Sequence, residues 1–509
     1  MNAILDVLVV GAGVSGIGAA CWLRRELPKK TFMILERRNA IGGTWDLFRY
    51  PGIRSDSDMC TFGYTFRPWT EPKILADGPS IQKYVSDTAR DHDLLPHIRF
   101  GRRVTRAAWS TEERCWTVDV VREGDGVSER YRARFLLGCT GYYNYDRGHD
   151  PKLPGEDRFG GRIVHPQHWP ADLDYRGKRV VVIGSGATAI TLVPAMSADA
   201  AHVTMLQRSP TYVLSVPEID PAVKLWRHLP PTVAYRLARA RNIAIARALY
   251  VFSKRRPEVM RRFILGQAKR QLRGKADLRH FTPAYGPWDQ RLCVVPNGDL
   301  FRAIRHGRAS VVTDTIETFT EKGIRVRSGE TLEADIVVKA TGLDLQLLGG
   351  IDVFVDGARI ESREHMVYKG VLIEDVPNAA LVFGYTNIAW TLKVDIACRY
   401  LCRLLRHMDR RGHDMVIARG SDGVRSDETL FGSLSSGYVA RAADRLPRQG
   451  KRAPWRVLDD YLRDAWTLRM GQIEDDALEL SSRARPTRWR RAKSSITAVT
   501  ASGSSNIGR

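Results

Sequence analysis

Two glycine-rich turns constrain this chain more than any other feature in it. Each is fed by a short apolar strand and runs directly into a helical pattern. In the first, Asp6 to Val10 leads into Gly11, Gly13 and Gly16, a G-x-G-x-x-G, and a helix follows to about Leu27. The first glycine permits the tight turn. The second lets backbone approach a pyrophosphate, and the third lets helix and strand pack closely. The helix N-terminus, with the Ser15 backbone, suits phosphate charge. A second strand, TFMILE, ends in Glu36, about 20 residues on, where a carboxylate can accept hydrogen bonds from ribose hydroxyls. The second turn lies in RVVVIGSGATAITLVPA, with Gly184, Ser185, Gly186, Ala187, Thr188 and Ala189 as a G-x-G-x-x-A. Its following strand has no terminal acid and ends in Gln207, Arg208 and Ser209. An arginine there accommodates a 2′-phosphate that an acid would repel, which selects NADPH over NADH. The expected fold class is α/β, with two dinucleotide-binding, Rossmann-like domains.

Between the two turns stands FGGRIVHPQHWP, in which Phe159, Gly161, His165 and Trp169-Pro170 are spaced as F-x-G-x-x-x-H-x-x-x-W-P. Upstream, residues 80–94 read as a helix, and 98–139 as a small β-meander broken by Gly124-Asp125-Gly126. In two-dinucleotide proteins an early strand of such a meander meets the adenine, and Val104 is the candidate here; a plain strand valine is the alternative. FLLGCTG (135–141) and DIVVKATG (335–342) are similar strands ending in Thr-Gly. They fit a chain that leaves the first domain at one and re-enters it at the other. Residues 41–58, IGGTWDLFRYPGIRSDSD, lack periodicity and read as a binding loop beside the cofactor strand. GYTNIAW opens a long helix, with Thr391 as candidate cap and Trp390 as a candidate cavity aromatic.

The net charge of +22 points to anionic partners. No nucleic-acid motif accompanies it, so nucleic acid ranks last. Residues 222–280 are helical and strongly basic, with apolar residues interspersed. A solvated face over an insertion domain is the first reading, and peripheral association with an anionic membrane surface is the second. The seven cysteines include no C-x-x-C and no zinc spacing, so no metal site is expected and a flavin disulfide reductase is disfavoured. The apolar start, ILDVLVV, reads as a strand rather than a leader, and a cytoplasmic protein, with the inner membrane face as an alternative, is expected.

Taken together, FGGRIVHPQHWP, GGTWDLFRYPGIRSDSDM, VVIGSGATA, TMLQRSPTY and PWDQRLC resemble class B flavoprotein monooxygenases of the Baeyer–Villiger type over roughly residues 5–475. The resemblance implies FAD in the first domain and NADPH in the second. It implies that Gly43, Thr44, Trp45, Asp46 and Leu47 contact FAD. Asp56 would lie beside the flavin, and Arg54 and Ser55, with Asp56, near NADP. It also implies Arg291 as the active-site arginine, oriented by Asp56, with Gln290 where many relatives have lysine. Phe159, Gly161, His165 and Trp169 would couple domain motion to cofactor binding. The implied reaction uses NADPH and O2 to insert oxygen beside a ketone carbonyl through a C4a-peroxyflavin, giving an ester or lactone. Sulfur oxygenation is a companion activity. N- or S-oxygenation proper, or an uncoupled NADPH oxidase, is the alternative. The expected organisation is an FAD domain over 1–145, an NADP domain over 155–340 with a basic helical insertion at about 218–285, and a return to the FAD domain over 341–480. A basic, disordered tail over 481–509 completes it. The oligomeric state is left open.

Overall fold

A computed structural model of the chain describes residues 3–220, 228–290, 292–385, 387–420, 424–432, 434 and 436–483. Arg291 and residues 484–509, nearly all of the expected basic tail, lie outside the described residues.

Strand β1 (Leu5–Val10) is buried from Val7 onward, as an interior parallel strand must be. It lies between β2 (Phe32–Leu35) and the end of the long strand Ser128–Gly138, parallel to both. Helix α1 (Val14–Glu26) connects β1 to β2. Along its other edge, the strand Ser128–Gly138 serves two partners. Its first half pairs antiparallel with Cys115–Arg122, and Leu136–Gly138 pairs parallel with Ala379–Leu381. One strand therefore belongs both to the nucleotide-binding sheet and to the meander, which Arg102–Ser110 completes.

The second sheet is all parallel. Its order is Ala309–Thr313, His202–Gln207, Arg179–Ile183, Ile336–Lys339 and Arg162–Val164. The helix Ala187–Met196 follows its central strand. The fold is thus α/β with two Rossmann-like units. Seven free cysteines are all buried.

The basic segment forms two helices, Pro231–Arg255 and Pro257–Leu272, inserted between the paired strands Val213–Val216 and Cys293–Pro296. The insertion touches both units. Ala268 and Leu272 join the core of the second unit. Arg239, buried on the first helix, donates to the carbonyls of Cys60, Thr61 and Gly63 and faces Asp395 at 3.4 Å in the first. Asp395 belongs to the helix Trp390–Arg411, which packs along α1 and also accepts from Trp22 Nε1 at 3.0 Å. Among the described residues no helix is long and apolar enough to cross a membrane.

Candidate active site

The first turns of both nucleotide helices border one cavity of about 370 Å3. Val14 and Ser15 line it from α1, Ala187 and Thr188 from the helix Ala187–Met196. Neither helix has a side-chain cap, so their first N–H groups are left to a ligand. The turn geometry explains the glycines. Gly11 sits at φ +103°, and a Cβ there would lie 2.6 Å from the Cys139 carbonyl oxygen. Gly184, at φ +139°, stands in the same relation to the Ala340 carbonyl. Each first glycine is thus pressed onto the Thr-Gly strand end of its own unit. Gly16 is close against the Gly11 carbonyl, and Ala189 is fully buried at the matching place.

The end of the cavity at α1 is the more enclosed. Gly13 and Gly43 face each other across it, and a Cβ on Gly43 would come within 3.0 Å of the Gly13 Cα. Only bare backbone leaves this cradle open, which suits a pyrophosphate. Glu36, 4% exposed, lines the same cavity and accepts from Ala12 N at 2.6 Å and Arg38 N at 2.8 Å. Burial pushes its carboxyl pKa above the ordinary value against the pull of those two donors. Val104 lines the cavity together with Arg102 and Arg103.

The loop after Ile41 divides over one helical turn, Thr44–Leu47. Thr44 and Trp45 line the cavity, whereas Asp46 and Leu47 turn away from it. Asp46 is buried between Arg38 Nε at 2.5 Å and Arg49 Nη2 at 2.8 Å and also accepts from Gln82. Leu47 packs in the core of the second unit. Arg54, Ser55 and Asp56 line the cavity. Arg54 Nη1 donates to Asp299 at 2.7 Å, while its buried Nη2 has no hydrogen-bond partner. Burial raises the Asp299 pKa, and Arg54 opposes the rise. A buried, undirected guanidinium donor at the wall of a two-nucleotide cavity fits a cofactor oxygen.

At the second turn, Gly184, Ser185, Gly186 and Ala189 do not border the cavity, and a Cβ on Gly186 would meet only open space. Arg208 and Ser209 are exposed, outside the cavity, and Arg208 makes no ion pair with any described residue. Gln207 is buried and donates to the His280 carbonyl and to Thr313 Oγ1. Arg291 lies outside the described residues, but Trp288, Leu292 and Cys293 line the cavity on either side of it.

The linker residues sit apart from the cavity. Phe159 packs edge-on to Phe319, 5.9 Å between ring centroids. Gly161 is wedged against the Asp335 carbonyl. His165 Nδ1 accepts from Gln167 N, its buried Nε2 has no partner, and burial lowers its pKa. Trp169 packs against the core of the second unit.

Sequence reasoning missed three tyrosines, Tyr142, Tyr143 and Tyr145, that line the cavity just after the Thr140-Gly141 strand end. Tyr142 stacks on Trp390 at 5.1 Å, and Trp390 lines the cavity as expected while donating from Nε1 to Ser15 Oγ at 3.0 Å. Thr391 is not the helix cap. Ala389 takes that place with no side-chain bond, and Thr391 Oγ1 donates to the Thr61 and Phe62 carbonyls of the short helix Met59–Phe62.

Two nucleotide sites sharing one cavity define an oxidoreductase that brings two dinucleotide cofactors together. The family model described as flavin-binding monooxygenase-like matches residues 5–409, and the chain belongs to that family. It is 55% identical over 489 residues to MymA of Mycobacterium tuberculosis, named as an FAD-containing monooxygenase, covering 95% of this chain and 99% of MymA. It is 51% identical over 491 residues to the FAD-containing monooxygenase EthA of the same organism, covering 96% and 99%. A solved structure of oxidised steroid monooxygenase bound to NADP shares the fold, with a TM-score of 0.74 and 23% identity over 94% of this chain and 100% of that one. The enzyme is thus a class B flavin monooxygenase that uses FAD and NADPH.

Proposed function

We propose that the enzyme inserts one atom of O2 beside a ketone carbonyl, giving an ester or lactone, and oxygenates sulfides and thioamides at sulfur in the same cavity. The observation that carries this reading is the aromatic part of the cavity lining, Trp45, Tyr142, Tyr385, Trp390 and Tyr438. Such a wall favours a small, uncharged, apolar acceptor. Bound FAD, reduced by NADPH, supplies the oxygen-activating chemistry. The chain's own residues bind, orient and exclude water. The α1 N-terminus and the Gly13–Gly43 cradle hold the pyrophosphate of FAD. Glu36 accepts from its ribose, and Val104 meets its adenine. Arg54 Nη2 and Ser55 meet NADP, and Arg208 with Ser209 takes the 2′-phosphate. Arg291 provides a fixed cation for the negative charge that develops during oxygen transfer. Asp56 orients Arg291.

A second reading, oxygen transfer to nitrogen or sulfur alone, is favoured by the breadth of the family match, whose description carries no ketone. One experiment separates them. The flavin-loaded enzyme is given NADPH, O2 and matched ketone, sulfide and amine panels, and ester, sulfoxide, N-oxide and hydrogen peroxide are quantified against NADPH consumed. Ester formation supports the main reading. Sulfoxide or N-oxide without ester supports the second, and peroxide matching all NADPH reduces the protein to an oxidase. In Arg291→Ala, oxygenation of the best substrate should fall about 10²–10³-fold, with flavin content and reduction by NADPH retained. Product formation at the parent rate would remove Arg291 from the mechanism.

A further inference from the structure

The helical hairpin Pro231–Leu272 is docked on one side only. On its first helix, Tyr235, Ala238, Arg239 and Ile243 are buried. Val233, Leu237, Ala240, Ala244, Ala248 and Phe252 are exposed, and their three- and four-residue spacing lines them up along the outward face. The second helix adds Val259 and Phe263, one turn apart and 43% and 52% exposed. This outward stripe is apolar where a solvated helix face would be polar.

Charge indicates what covers it. Residues 231–272 hold eleven lysines and arginines and a single acid, Glu258. Four of these cations are paired, Arg239 with Asp395, Arg241 with Asp220, Arg247 with Asp460 and Lys254 with Asp289. Arg255, Arg256, Arg261, Arg262, Lys269 and Arg270 make no ion pair with any described residue. We propose that this hairpin docks the enzyme on an anionic lipid surface, with Leu237, Phe252 and Phe263 entering the acyl boundary and the arginines among the headgroups. A second copy of the chain is the poorer occupant, because a two-fold contact would set this cationic patch against itself. The hairpin rests on the surface and does not cross it, since neither helix is long and apolar enough to span a membrane. It also shares a wall with the cavity. The Tyr250 ring meets Trp288 edge-on at 5.8 Å, Lys254 Nζ donates to the Trp288 carbonyl at 3.2 Å, and Trp288 lines the cavity.

The test is co-sedimentation of the full-length, flavin-loaded enzyme with phosphatidylcholine vesicles, with and without phosphatidylglycerol. The parent should pellet only with the anionic vesicles. Leu237→Ser with Phe263→Ser should weaken binding about tenfold or more. Arg255→Ser with Arg262→Ser should weaken it about fivefold per charge removed. Both variants change exposed positions and should keep the parent's flavin content and rate of flavin reduction by NADPH. Three results would overturn the proposal: a parent that stays in the supernatant with anionic vesicles, an apolar variant that binds them as tightly as the parent, or a dimer in sedimentation velocity that the apolar substitutions dissolve while lipid binding is absent.

Discussion

The two nucleotide units begin with the same local chemistry and end in different places. Both start from a glycine at positive φ pressed onto the carbonyl of a neighbouring strand end, and both present an uncapped helix to the shared cavity. In the FAD unit the next residues close over the site, with Gly43 facing Gly13 and Glu36 buried between two backbone donors. In the NADP unit Gly186 faces open space and Arg208 stands exposed. One motif thus makes a closed cradle or an open dock, depending on what the following loop lays across it. The FAD unit lays down Gly42–Leu47, whereas among the described residues nothing comes within 4 Å of a Cβ placed on Gly186. This suits a cofactor that stays and a cosubstrate that exchanges.

Matched substitutions test the contrast most severely. Gly13→Val would fill the cradle, and the purified protein should carry little flavin, read as the ratio of flavin to protein absorbance. Gly186→Val should remain fully flavin-loaded and fail instead in reduction by NADPH. Equal flavin loss in both would erase the distinction. Next in size is Arg208→Ala. A phosphate-paired arginine contributes about 1.5–3 kcal/mol, so the NADPH-over-NADH preference in kcat/KM should fall at least tenfold with NADH turnover unchanged; a preserved preference would place the 2′-phosphate elsewhere. Asp46→Asn asks whether the closing loop is held by its ion pairs or by FAD. With flavin content intact, the holoenzyme should lose about 1–2 kcal/mol in urea unfolding, whereas flavin loss without destabilisation would restore Asp46 as a direct ligand.

The smallest effect belongs to the joint between the units. Burial depresses the His165 pKa below its ordinary 6.5, so the neutral ring is the form the fold prefers. The stability tied to that neutrality is whole above pH 6.5 and is lost as pH falls below it. His165→Gln should therefore flatten part of the fall in melting temperature between neutral pH and mildly acidic buffer. An unchanged slope would mean that His92, His149 and His280, whose pKa values desolvation also lowers, carry it.

Much of this was legible because turn chemistry is local. Gly11, Gly13 and Gly16 declare strand, turn and helix within a few residues, and Glu36 follows at a distance set by one helix and one strand. The loop residues were harder, for a geometric reason. Thr44 to Leu47 make one helical turn, which points neighbours about 100° apart, so a contiguous run cannot all face a ligand, and Asp46 and Leu47 turn inward. The tyrosines at 142, 143 and 145 sit just past a strand end, where periodicity carries no information about direction. Arg239 is indistinguishable in sequence from its solvated neighbours; only the packing of its helix onto residues 60–63 reveals it as an anchor.

The strand Ser128–Gly138 also imposes an order on synthesis. Every strand of the NADP sheet lies between Arg162 and Lys339, so that unit can close as soon as it leaves the ribosome. The FAD sheet cannot, because the edge of Leu136–Gly138 waits for Ala379–Leu381. At roughly 5–20 residues per second, that edge stays bare for on the order of ten to fifty seconds. The inner unit is thus complete before the outer frame that surrounds it in sequence, and a nascent chain stalled between these segments would display an unpaired apolar strand edge to the cell's chaperones.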